Sequence, residues 1–129
     1  MNANEELVRD WIIKANLDLK SAKVLIAADD ELYGTACFHA QQLAEKSLKA
    51  LLVSRKIVFS KTHSLLLLAD LLNDDDVNER SKSLDRLTDH AVEMRYPGDY
   101  IEPEREEAEE VLRIAIEIFD LAKNKLDLK

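Results

Sequence analysis

A chain of 129 residues, 47% apolar and 34% charged, has the size and mixture of a single globular domain over residues 1–129, which excludes a disordered tail. Two glycines and two prolines are too few for the turns of an all-β protein, and the abundance of Leu, Ala, Glu, Lys and Asp predicts an all-α fold. A net charge of −8 argues against non-specific DNA binding.

The first predicted helix runs from about Glu5 to Ala28. Val8, Ile12, Ala15, Leu19, Ala22 and Ile26 alternate spacings of four and three and so share a face, which Trp11 and Leu25 widen. Asp29-Asp30-Glu31 breaks the pattern. The second helix spans about Leu32 to Arg55, with Tyr33, Cys37, Ala40, Ala44, Ser47 and Leu51 inward and Ala36, Leu43 and Leu48 beside them. Many of these are small, so neighbouring helices can approach closely and this helix is expected at the centre of the bundle. After a connector from Lys56 to Lys61, Thr62 is placed to cap a short third helix from His63 to Asn73. Asp74-Asp75-Asp76 reads as a turn, and Asp76 with Glu79 resembles a capping box opening a fourth helix that runs to about Met94. Its predicted inner residues are Val77, Leu84, Leu87, Ala91 and Met94, and Pro97-Gly98 stops it. Pro103 suits the first position of a fifth helix ending near Leu126, with Ala108, Val111, Ala115, Ile118 and Ala122 inward. Short loops between long amphipathic helices predict an antiparallel up-and-down bundle of about five helices.

The single cysteine, Cys37, lies on an inner stripe and reads as a core residue. With no intrachain disulfide to form, a reducing, cytoplasmic setting is expected. The N-terminus is polar and acidic, unlike a secretory signal. The longest apolar run, Leu65 to Ala69, is too short to span a bilayer, so no membrane partner is expected.

Charge is unevenly spread. From His39 to His63, five Lys/Arg face Glu45 alone; from Asp70 to Glu110, five Lys/Arg face fifteen Asp/Glu. This is either ordinary solvated helix surface or a basic face fit to meet an anion beside an acidic one. Within the basic stretch, His39, Gln42, Lys46 and Lys49 fall in an 80° sector of the second helix, beside its apolar face. Such a stripe can hydrogen-bond and neutralise a phosphate or a base edge; a plain solvated edge or a dimer seam would use the same groups. Thr62 and His63 read as a helix cap and an exposed histidine, or as an anion-binding helix start. Arg95-Tyr96-Pro97 reads as a helix terminus, or as an arginine held in a loop for a phosphate. No Glu-x-x-His pair, cysteine pair or glycine-rich phosphate loop occurs, so no metal or cofactor is expected.

Phe38-His39-Ala40-Gln41-Gln42-Leu43-Ala44-Glu45-Lys46-Ser47-Leu48-Lys49-Ala50 resembles the central signature of HEPN domains. Lys61-Thr62-His63-Ser64-Leu65 looks like that family's Thr-His motif, and Arg95-Tyr96-Pro97-Gly98 like the Arg-Tyr-Pro element of one branch. The opening helix, with Trp11, Ala15, Asp18, Leu19 and Ala22, also fits. The resemblance implies an antiparallel helical bundle, a homodimer, and a minimal nucleotidyltransferase partner in a toxin–antitoxin-like pair. It implies nucleotide or RNA as ligand, and the residues singled out above, His39, Gln42, Lys46, Lys49, Thr62, His63, Arg95 and Tyr96, are the binding candidates. Many members are metal-independent ribonucleases carrying Arg, four to six residues, then His. Here Tyr100 stands five positions after Arg95 where that histidine belongs, and the spacing from Arg86 to His90 is too short. The expectation is therefore a nucleotide- or partner-binding subunit. The alternatives are an endoribonuclease using Arg95 with His39 or His63, and a structural adaptor with no small ligand.

Overall fold

The computed structural model describes residues 1–88 and 102–128. Every regular element among them is a helix: α1 (Ala3–Ala27), α2 (Tyr33–Ser54), α3 (Leu65–Leu72), α4 (Asp75–Asn78), α5 (Ser81–Thr88) and α6 (Arg105–Lys125). The all-α expectation holds, and the predicted first, second and fifth helices are the long α1, α2 and α6.

Each start has a local cause. The Asn2 side chain accepts the Glu5 amide at 2.9 Å and opens α1. α2 has no side-chain cap of its own. The carboxylate of Glu102, just ahead of α6, accepts the Gly34 amide at 2.8 Å and so meets one of the unpaired donors of that terminus. α2 ends on Lys56 in the left-handed region (φ 57°), with the Ile57 amide reaching back to the Leu52 carbonyl at 2.9 Å.

Three boundaries differ from expectation. Pro103 does not take the first position of the last helix: it precedes the N-cap Glu104, and α6 opens at Arg105. Thr62 does not cap α3. Its hydroxyl accepts the Ser64 amide at 3.0 Å, and the Ser64 hydroxyl in turn accepts the Leu67 amide, so the helix opens at Leu65. The predicted fourth helix is two pieces, α4 and α5, and its cap is Asp74, which accepts the Asp76 and Val77 amides. The Asp76–Glu79 capping box does not form: the Asp76 amide is taken by the Asp74 carboxylate and the Glu79 amide by the Asp75 carbonyl, at 3.0 Å. The predicted continuation to Met94 and the Pro97-Gly98 stop lie outside the described residues.

The run of the helices follows from who meets whom. Trp11, early in α1, lies under Lys49, late in α2; Leu25, late in α1, shares a groove with Thr35, early in α2. α1 and α2 are therefore antiparallel. Arg105 stacks over Tyr33, and Lys125 lies near Ser54, so α6 runs alongside α2 in the same direction. α4 and α5 return between them: Lys125 pairs with Asp76, and Arg86 approaches Glu110 at 3.6 Å. The topology is up, down, up, down, as expected.

α2 is central, packed by α1, α3, α5 and α6. Its Ala36, Cys37, Ala40, Leu43, Ala44, Leu48 and Leu51 are buried in the core. Ser47 joins that face without an unpaired hydroxyl, donating to the Leu43 carbonyl at 2.7 Å. The inward residues expected on α6 are all buried; on α1, Ile12 and Leu19 are only partly so. Burial, followed by the nearby Glu107 and Glu102 carboxylates, pushes the Cys37 thiol up to about 12, which makes it an inert core residue. No helix among the described residues is long and apolar enough to cross a membrane.

Candidate functional site

α1 places a carboxylate, Asp18, on its inner face between Ala15 and Ala22. α2 places a second, Glu45, between Ala44 and the Lys46-Ser47-Leu48 run. A buried carboxylate costs several kcal/mol unless it is paired and hydrogen-bonded. Both are. Asp18 takes His39 Nδ1 on Oδ1 at 2.8 Å and Lys46 Nζ on Oδ2 at 2.5 Å. Glu45 takes His63 Nδ1 on Oε1 at 2.9 Å and Lys49 Nζ on Oε2 at 3.0 Å. The fully buried Gln41 completes the second cluster. Its Nε2 donates to Glu45 Oε1 and to the His63 carbonyl, each at 3.3 Å, and its Oε1 accepts from Gln42 Nε2 at 2.8 Å. Among the described residues, no buried side-chain nitrogen or oxygen lacks a partner.

The stripe seen in the sequence is thus the outer part of a wider polar face of α2, closed by Asp18 from α1 on one side and His63 from the α3 approach on the other. Its members differ in access. The His63 side chain is 65% exposed, while those of His39 and Lys46 are about one quarter open. Lys49 is 11% exposed, its ammonium 5.5 Å from the Trp11 ring and 5.8 Å from Phe59. It is a buried cation held by Glu45 and two aromatic faces, and is poorly placed to reach a ligand. Half of the basic surplus of this stretch is offset by acids from elsewhere in the fold: Lys46 by Asp18, Arg55 by Asp74 at 2.9 Å.

A carboxylate accepts only, so Nδ1 of both histidines donates and carries the proton. Nε2 is then the ring nitrogen turned from the carboxylate, with the ring orientation fixed from behind; Phe38, edge-on at 5.5 Å, further confines His39. Beside His39 a groove of about 430 Å³ opens between α1 and α2, lined mainly by Lys20, Ser21, Val24, Leu25 and Thr35.

His39, Gln42 and Lys46 are brought together as expected. Thr62 and His63 lie at the far side of Glu45, with Thr62 engaged in the turn before α3. Arg95 and Tyr96 lie outside the described residues. Sequence reasoning passed over Asp18, Gln41 and Glu45 as site residues. The signal for two of them was an acid at an inward helical position, Asp18 on the stripe Val8-Ala15-Ala22 and Glu45 beside Ala44 and Leu48.

A four-pass helical bundle with two carboxylate–histidine pairs along its central helix defines the class of the molecule. The HEPN domain model matches residues 8–125, and the chain belongs to that family. It is 27% identical over 142 residues to MJ1304 of Methanocaldococcus jannaschii, named as a candidate toxin, across 98% of this chain and 92% of that one. The crystal structure of TT1696 from Thermus thermophilus is similar at 32% identity and a TM-score of 0.73, over 92% of this chain and 97% of that one. ST0689, described as an archaeal HEPN homologue, is similar at 30% identity and a TM-score of 0.72, over 92% and 96%.

Proposed function

We propose that the chain is a binding subunit: a HEPN homodimer whose α2 polar face takes a nucleotide, or presents that face to a minimal nucleotidyltransferase partner in a toxin–antitoxin-like pair. The observation that carries this reading is the support given to the face. Two carboxylates are buried to hold His39, Lys46 and His63 in fixed orientations, where apolar packing would serve a purely structural bundle at least as well. This argues against the adaptor reading. Family membership and the candidate-toxin relative support the pairing.

Calorimetric titration with nucleoside phosphates tests the ligand. Lys46→Ala removes a charge from the face and leaves Asp18 short of a partner, so its fold must be checked by circular dichroism. His39→Gln is the cleaner variant, because the amide can still donate to Asp18 while the ring's second nitrogen is lost. Each should weaken binding about tenfold or more, the scale of a charge-assisted or buried hydrogen bond. Unchanged affinity in both would remove this face from consideration.

The same geometry favours one second reading, an endoribonuclease. A carboxylate-held imidazole is suited to accept a proton from the RNA 2′-hydroxyl, with Arg95 stabilising the developing charge. RNA cleavage that persists in EDTA and disappears in both His39→Gln and Arg95→Ala would support it over the binding reading.

A further inference from the structure

α1 and α6 both pack on α2, and a groove of about 460 Å³ opens between the C-terminal end of α1 and the N-terminal half of α6. Small-molecule sites occupy roughly 300–1,000 Å³, so the groove has the size of one. Its floor is aliphatic: Ile26 and Ala27 from α1, Leu112 and Ile116 from α6. Ile26 and Leu112, 9% and 8% exposed, are the two least covered members of the core cluster. The core is thus left open along this line, away from the polar face of α2.

The rim sets the charge of the occupant. Four charged residues of α6 line it, and they pair along their own helix: Arg105 with Glu109 at 3.9 Å, and Arg113 with Glu117 at 2.9 Å. Arg105 also lies over the Tyr33 ring, and Arg113 also holds Glu110. Across the groove stands Lys23 of α1. Its helical neighbours three and four residues away are Leu19, Lys20, Ile26 and Ala27, so α1 offers it no carboxylate. Among the described residues no acidic side chain pairs with it. An apolar trough with one unmatched ammonium at its mouth complements a molecule that has an apolar body and a single acid group. We propose that the α1–α6 groove binds a small apolar monoacid, its body on Ile26, Leu112 and Ile116 and its acid group in water beside Lys23. This site goes beyond the proposed function and uses none of its residues.

The probe is decanoate, kept below its micelle concentration and followed by calorimetric titration of the full chain. One molecule should bind per chain. Ala27→Trp, at an exposed position, fills the trough and should abolish binding with helicity unchanged. Lys23→Glu, also exposed, should weaken decanoate roughly tenfold and leave decanol, which has no charge, unaffected. Absence of saturable decanoate binding overturns the site. Binding that survives Ala27→Trp overturns the groove as its place. An equal loss for decanoate and decanol in Lys23→Glu, or no loss for either, overturns Lys23 as the partner of the acid group.

Discussion

Glu45 shows how one side chain can organise a region. It is 3% exposed, yet it joins α2 to itself through Lys49 and to the α3 approach through His63. Removing one partner of a buried pair leaves the other charged and unsolvated. Glu45→Ala should therefore destabilise the protein by about 3 kcal/mol, as measured by urea unfolding. Glu45→Gln/Lys49→Met, which removes both charges and keeps volume, should recover most of that loss. A loss below about 1 kcal/mol in Glu45→Ala would mean that water, not the protein, is satisfying Lys49. Asp18 is built alike, with His39 and Lys46 as its partners. These residues were hard to find in the sequence because pairing across helices is invisible to spacing along one helix. His39 and Lys46 were visible, being on one face; that both rest on Asp18, 21 and 28 residues away, was not.

At the scale of elements, periodicity located α1, α2 and α6 because each has a long stripe whose burial outweighs any local choice. The short helices obey their caps instead. The Asp74–Asp76 run offers three candidate caps, and the sequence pattern pointed to Asp76, through its spacing to Glu79. Asp74 prevails because Arg55 and Lys125 also hold its carboxylate, at 2.9 and 3.2 Å, so the tertiary structure selects the cap. Thr62 and Ser64 present the same ambiguity: both hydroxyls take amides, but only Ser64 stands directly before the helical turn.

Across the whole molecule, that same aspartate ties the ends of α2 and α6 to the start of α4. Burial works against its charge, but hydrogen bonds from Arg55 and Lys125 and the Val77 amide hold the carboxyl down, from 3.8 to about 2. A carboxyl with a lowered folded value contributes stability that is complete above its unfolded value and is lost as pH falls through the folded one. With solvent screening its partners, Asp74 should thus contribute on the order of 1 kcal/mol at neutral pH, lost as pH drops from about 4 to about 2. Scanning calorimetry across that range should show a steeper fall in Tm for wild type than for Asp74→Asn, which keeps a capping side chain but cannot ionise. Parallel curves would show that the Arg55–Asp74–Lys125 cluster does not hold the helix ends together.

The sequence by itself determined the helical class, the three long helices with their inner faces, and the exposed polar members of the α2 stripe. Each of these depends on residues within one helix, where a fixed 100° per residue converts spacing into direction. Only the tertiary structure decided that the stripe rests on Asp18 and Glu45, that Lys49 turns inward over Trp11 and Phe59, and that the fourth predicted helix is capped by Asp74 and forms two short pieces. Those features depend on which distant partner satisfies a buried charge or an open helix end, and that is settled by packing in space.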